Sequence, residues 1–239
     1  MSNNIFFSPS KINLYLEILS KRKNGLHNLN SLMTFTDIGD FLEIKVSEKF
    51  VLHTKGPFAK QLCDPQKNII SLALEKLESL INRKLNVSIT LTKNIPLGSG
   101  LGAGSSNAAR VLKALIRMYK LNIEKKDIDT LLISIGSDVP FCFYGRTSIL
   151  NGIGEKLFFL NNLKEYDLLL VNPLVEVSTG EIFNKIEKYN DKPTLYNKNS
   201  FSDDFLLKTI LRSNNDLEAI AIELYPVIGS ILTLFKKTN

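Results

Sequence analysis

The sequence predicts an α+β fold, and three observations carry that expectation. Val87, Ile89 and Leu91 alternate with Ser88, Thr90 and Thr92, the period of a strand with one buried face. Ala108, Val111, Leu112, Leu115, Ile116 and Tyr119 follow at helical spacing. The next segment, Glu124 to Ile135, is helical again, so the elements do not alternate as a compact βαβ unit requires.

Taken in order, strands are predicted at Ile12–Ile18, Phe41–Val46, Val51–Thr54 and Val87–Thr92. Between the last two, Asp64-Pro65 reads as a cap followed by proline at the first helical position. The helix it opens carries the stripe Ile70, Leu74, Leu77 and Ile81. Two more helices are predicted at Ser105–Tyr119 and Ile123–Ile135, then strands at Phe141–Leu150 and Leu157–Leu160. These elements make a first domain over residues 1–160. A second, 161–239, opens on a strand at Tyr166–Val171 and continues with helices at Thr179–Ile186, Asp203–Leu211 and Leu217–Phe235. The polar segment Glu187 to Asp204 reads as a loop.

The chain has 239 residues, enough for one large domain or two modest ones, and 44% are apolar, as in ordinary globular proteins. No apolar run approaches the ~18 residues of a membrane span, and no basic-then-apolar leader opens the chain. The two cysteines, Cys63 and Cys142, suggest no disulfide framework, so a cytoplasmic location is expected. A net charge of +6 could serve nucleic acid or draw in doubly phosphorylated substrates. It is spread in short runs such as Lys21-Arg22-Lys23, which reads as a biased composition rather than a binding face, so no nucleic-acid partner is expected. The two histidines have no ligand-type neighbours at zinc spacing.

The stretch Pro96-Leu97-Gly98-Ser99-Gly100-Leu101-Gly102-Ala103-Gly104-Ser105-Ser106 joins the strand to the helix. Four glycines in seven residues let the backbone wrap closely around a ligand. A helix that then opens at Ser105-Ser106 favours an anion at its N-terminus, so a phosphate is the expected guest. A Walker A loop is excluded because no Gly-Lys-Ser/Thr follows. Gly98, Gly100 and Ala103 meet the dinucleotide G-x-G-x-x-A pattern literally, yet the βαβ context is missing. An unliganded glycine loop would explain flexibility but not the ordered approach to a helix start.

A third pattern, P-x-G-x-G-L-G-x-G-S-S, resembles the second motif of the GHMP small-molecule kinases. Two further segments extend the likeness: Ser8-Pro9-Ser10-Lys11-Ile12-Asn13-Leu14, and Gly136-Ser137-Asp138-Val139-Pro140-Phe141. Both look like signatures of the branch acting on 4-diphosphocytidyl-2-C-methyl-D-erythritol, as does Asn24-Gly25-Leu26-His27. The four segments run in family order along most of Met1 to Phe183.

The resemblance implies a ribosomal-S5-like N-terminal domain, a ferredoxin-like C-terminal domain and an active site in the cleft between them. It implies ATP as phosphoryl donor, with Mg²⁺ expected and its ligands unassigned. Residues Pro96 to Ser106 would hold the nucleotide phosphates, and Lys11 and Asp138 would be the catalytic pair. An alcohol is a poor nucleophile until a base takes its proton, the role for Asp138. The ammonium of Lys11 would keep that carboxylate ionised and stabilise the alkoxide. Read without the family, Asp138 is a turn or N-cap aspartate and Lys11 a solvated lysine. Asp138 follows the stop at Gly136 and precedes Val139-Pro140, where the helix cannot continue, so its carboxylate is presented rather than buried.

Asn13, His27 and Phe183 would contact the substrate, His27 and Phe183 at its cytosine. Their plain alternatives are a strand hydrogen bond, a structural histidine and a core aromatic. Phe183 follows the capping box Ser178-Thr179-Gly180-Glu181. The family tyrosine before His27 is Leu26 here, which keeps apolar contact and loses the aromatic face. Relatives also carry a third motif of the M-S-G-S-G type, whereas only Gly229 follows Gly180 before Asn239. The second domain is therefore expected to be incomplete. The leading reading is a kinase that phosphorylates the 2-hydroxyl of 4-diphosphocytidyl-2-C-methyl-D-erythritol. The alternative is a shortened, impaired or inactive relic that at most binds nucleotide.

Overall fold

The computed structural model describes residues 4–62, 64, 67–161, 164–190 and 203–237. Its elements mix strand and helix, as the α+β expectation requires. They are β1 (Ile5–Lys21), β2 (His27–Val46), β3 (Val51–Lys55), α1 (Ile69–Ile81), β4 (Val87–Thr92), α2 (Ala103–Met118), α3 (Lys125–Ile135) and α4 (Val139–Tyr144). After these come β5 (Ser148–Gly152), β6 (Lys156–Phe159), α5 (Thr179–Asn184), α6 (Asp203–Arg212), α7 (Glu218–Leu224) and α8 (Pro226–Lys237).

The chain forms two compact units. The first comprises Met1–Ile12, Phe35–Leu97 and Leu101–Arg146; the second comprises Asn13–Thr34, Gly98–Gly100 and Thr147–Asn239. The long strands β1 and β2 each contribute to both.

In the first unit, β4 pairs antiparallel with the end of β2, Ile44 opposite Ile89, and parallel with β3, Leu52 opposite Ile89. The alternation expected of β4 is present: Val87, Ile89 and Leu91 are buried and the residues between them half-buried. Leu42, Ile44, Ile89, Leu91, Ile70, Leu74, Leu77, Val111, Leu112, Leu115 and Leu132 form one core between the strands and α1, α2 and α3. Burying side chains of this size is worth about 1.5–3 kcal/mol each against exposure, which holds the strand–helix layers together.

In the second unit, β5 pairs with the start of β2 and with β6, both antiparallel. Tyr15, Leu32 and Ile149 form one small core; Leu16, Ile18 and Ile186 form another, against which Phe183, Leu217 and Ile220 pack. The β1 backbone at Leu16 and Ile18 also bonds Asn214, Asp216 and Asn190, tying the segment before α7 to the strand.

Several expectations are corrected. The α1 cap is Asn68, whose side chain accepts from the Ile70 N–H at 2.9 Å, and not Asp64. The helix starts at Ile69, one residue before its stripe meets the core at fully buried Ile70; Pro65 lies outside the described residues. Both β1 and β2 extend well beyond the predicted segments. Polar residues hide that part of β2: Asn30 donates to Glu17 and accepts from Tyr15, and Ser31 donates to the Tyr15 carbonyl, all buried. Residues from Phe141 to Tyr144 are helix α4 and not strand, because Pro140 sits in the first turn, where its missing N–H costs nothing. Pro226 likewise opens α8 and splits the helix predicted over 217–235, with Tyr225 before it out of helical geometry as the C-cap of α7. Tyr166–Val171 forms no strand: no described segment pairs with it, and Leu168, Leu169 and Val171 are exposed. Of the loop predicted over 187–204, residues 191–202 lie outside the described residues.

Candidate active site

The glycine segment is tied to β1 at short range. The Lys11 N–H donates to the Leu101 carbonyl at 2.9 Å, and the Ser8 hydroxyl donates to the Ser106 hydroxyl at 2.9 Å. Gly102 caps α2 with φ +61°, so the helix begins at Ala103 and not at Ser105. The serines therefore lie inside the first turn. A left-handed glycine turns the chain so that the first helical N–H groups, which lack intrahelical partners, are left for a ligand. A Cβ on Gly102 would stand 2.7 Å from Cγ and 2.8 Å from Cε of Lys11. Gly100, at φ +75°, faces open space.

That packing directs Lys11. Its side chain is 9% exposed, and its Nζ stands 3.6 Å from Oδ2 of Asp138, which is 31% exposed. Asp138 occupies the N-cap position of α4 yet makes no capping bond with its side chain; its backbone carbonyl accepts from Cys142 N–H. The carboxylate faces the ammonium instead, in the presented position that the sequence implied. α4 is anchored by Phe141, fully buried and stacked on Phe35 of β2 at 4.5 Å and 7°. The Cys142 thiol beside this pair is pushed far above its ordinary value, by burial first and then by the negative charge of Asp138. That direction favours the protonated thiol over the thiolate.

A second set of residues stands in the second unit. Asn24 and Gly25 close the turn between β1 and β2: the Asn24 side chain accepts from Leu26 N–H, and Gly25 has φ +85°. His27 follows as the first residue of β2. Its ring lies 5.3 Å from that of Phe183, tilted by 36°, and 6.3 Å from that of Tyr189. Its Nε2 is buried and has no hydrogen-bond partner among the described residues. Burial, and secondarily the charge of Lys21, lowers the His27 pKa, so the neutral ring is favoured. Phe183 is placed by α5, whose Ser178 cap accepts from Glu181 N–H as the capping box predicted. Leu26 is exposed. Asn13 donates to the Ser31 hydroxyl at 2.8 Å, the strand hydrogen bond of its plain alternative.

Two features escaped the sequence reading. One is Tyr189, which no motif marks. The other is a buried charged cluster comprising Asp40 on β2, Lys93 just after β4 and Asn107 on α2. Asp40 and Lys93 pair at 2.7 Å and are almost wholly buried. Burial pulls the Lys93 ammonium below its ordinary value although Asp40 opposes this. Nothing in a sequence distinguishes a buried lysine from a solvated one unless the facing carboxylate is known.

Among the described residues, no three His, Cys, Asp or Glu side chains cluster into a metal cage, and no helix is long and apolar enough to cross a membrane.

The profile of the GHMP kinases N terminal domain matches residues 68–146, which contain the glycine segment and Asp138. The chain is 35% identical over 231 residues to the 4-diphosphocytidyl-2-C-methyl-D-erythritol kinase of Chelativorans sp., covering 96% of this chain and 78% of the relative. It is 37% identical to the enzyme of the same name from Persephonella marina, over 94% of this chain and 81% of the relative. A crystal structure of 4-(cytidine 5'-diphospho)-2C-methyl-D-erythritol kinase superposes with a TM-score of 0.71 at 27% identity, over 95% of this chain and 80% of the other. Homoserine kinase from Cytophaga hutchinsonii shares the fold, with a TM-score of 0.53 at 19% identity over 80% of this chain and 62% of that one. With relatives above 30% identity matched along more than nine-tenths of its length, the chain belongs to the 4-diphosphocytidyl-2-C-methyl-D-erythritol kinase branch of the GHMP kinases.

Proposed function

We propose that this kinase transfers the γ-phosphoryl group of ATP to the 2-hydroxyl of 4-diphosphocytidyl-2-C-methyl-D-erythritol, a step of non-mevalonate isoprenoid precursor synthesis. The observation that carries the reading is the identity of 35% to an enzyme of that name along 96% of the chain.

The geometry supports a division of labour. The segment Pro96 to Ser106 cradles the phosphates with backbone N–H groups and the start of α2. Asp138 accepts the hydroxyl proton as the oxygen attacks phosphorus, and Lys11, 3.6 Å away, stabilises the charge that develops. His27 and Phe183, whose ring centroids lie 5.3 Å apart, take the cytosine. The buried Nε2 of the neutral imidazole, without a partner among the described residues, is the atom left to bond the base. Asn13 joins them at the substrate. Mg²⁺ would accompany ATP and offset the charge of its phosphates, and such an ion keeps several waters and needs few protein carboxylates.

The test is ADP release by the purified protein with ATP and 4-diphosphocytidyl-2-C-methyl-D-erythritol, beside Asp138→Asn. Substrate-dependent release that disappears in the variant is expected. A folded protein that binds ATP and releases no ADP would establish the relic reading instead.

A further inference from the structure

The buried cluster described above sits at both ends of the glycine segment. Asp40 Oδ1 accepts from Asn94 N–H at 2.7 Å and Ile95 N–H at 3.0 Å, just before Pro96. Asp40 Oδ2 accepts from Lys93 Nζ at 2.7 Å and from Asn107 Nδ2 at 2.8 Å, just after Ser106. Asn94 also donates its side-chain amide to the Gly39 carbonyl at 3.1 Å. One carboxylate therefore grips the chain where it enters the segment and where it leaves.

We propose that Asp40 is a positioning residue for nucleotide binding: through Asn94, Ile95 and Asn107 it fixes the two ends of the phosphate-cradling segment in the conformation that ATP requires. The proposal rests on reading Pro96–Ser106 as the ATP cradle. Gly98, Gly100 and Gly102 all have positive φ, so the segment between the anchors has wide conformational freedom. A loop ordered only on binding loses affinity to its own ordering, and anchoring its ends removes that loss. Lys93 has a separate part. It pairs with the buried carboxylate at 2.7 Å and so offsets the cost of taking that charge out of water. Asp40 touches no reacting atom and acts through the segment it holds.

Two variants separate this role from general support of the fold. Asn107→Ala removes the tie to α2 and leaves the Lys93–Asp40 pair intact. The double variant Asp40→Asn/Lys93→Met removes both charges and keeps the tie. The carbonyl oxygen of the introduced amide still accepts from the N–H groups of Asn94 and Ile95. Its nitrogen donates to Asn107 Oδ1, which is buried without a partner and becomes available when the Asn107 amide turns over.

The expected result for Asn107→Ala is a Kd for ATP raised about tenfold or more, as suits loss of a hydrogen bond to a charged group. Its Kd for the diphosphocytidyl substrate stays unchanged, and hydrogen exchange at the Lys11 amide, which bonds Leu101, becomes faster. The double variant binds ATP within about threefold of the parent, the usual scale of a conserved contact. Unchanged ATP affinity in folded Asn107→Ala overturns the proposal, as does equal weakening toward both substrates. A folded double variant that loses ATP affinity like Asn107→Ala overturns it too. If the parent protein itself binds no ATP, the cradle reading fails and the nucleotide role falls with it. The exchange at Lys11 then reports separately whether Asn107 holds the segment.

Discussion

Lys11 on β1 and Asp138 at the start of α4 meet with Nζ 3.6 Å from Oδ2, Lys11 lying against Gly102 and Asp138 making no side-chain capping bond. A lysine pressed along a glycine thus faces a carboxylate that makes no bond to its own helix end.

Lys11→Ala and Asp138→Asn should each reduce kcat by about 100- to 10,000-fold, the range for a positioned acid–base group. Circular dichroism should show both folded. Turnover within about threefold of the parent in either variant removes that residue from the chemistry.

Gly102→Ala and Gly100→Ala should differ sharply. Both require a left-handed residue, at a cost of roughly 1–2 kcal/mol. Only the Gly102 variant also drives a Cβ into the Lys11 side chain. It should lose kcat on the scale of Lys11→Ala, whereas Gly100→Ala, inside the phosphate-cradling segment but clear of Lys11, should raise KM for ATP with a smaller loss of kcat. Equal kcat losses would mean that the Lys11 contact does not matter.

His27 should make stability fall with acidity. Its folded pKa is below the unfolded value of about 6.5, so under mildly acid conditions the unfolded chain binds a proton that the native ring refuses. Stability from this group is complete above about pH 6.5 and drains away as the pH drops toward the folded value. Melting temperatures between about pH 7.5 and pH 5 should decline more steeply for the parent than for His27→Gln. Parallel curves would refute the assignment.

Leu26→Tyr should lower KM for the cytidine-bearing substrate by roughly 2- to 10-fold, the value of one aromatic stacking partner. The KM for ATP should stay constant. A KM for the cytidine substrate that does not move would leave the base to Phe183 and its neighbours alone.

Much of this was legible because periodicity reports burial. The stripe Ile70, Leu74, Leu77 and the alternation Val87, Ile89, Leu91 reappear as one core. The motif residues Lys11 and Asp138 were legible through resemblance, and the structure brings them together. The reading failed where polar side chains are buried against each other. Asn30, Ser31, Asp40 and Lys93 look like loop or surface residues until their partners are known. It failed also at Leu168–Val171, because an apolar run does not reveal whether a neighbouring strand exists to pair with it.

The threading of the chain has a consequence for descent. Because β1 and β2 each serve both compact units, and Gly98–Gly100 belong to the unit that neither flanking segment joins, no single crossover in the gene exchanges one unit intact. Domain shuffling is closed to such a chain, and specificity must drift by substitution within a scaffold inherited whole.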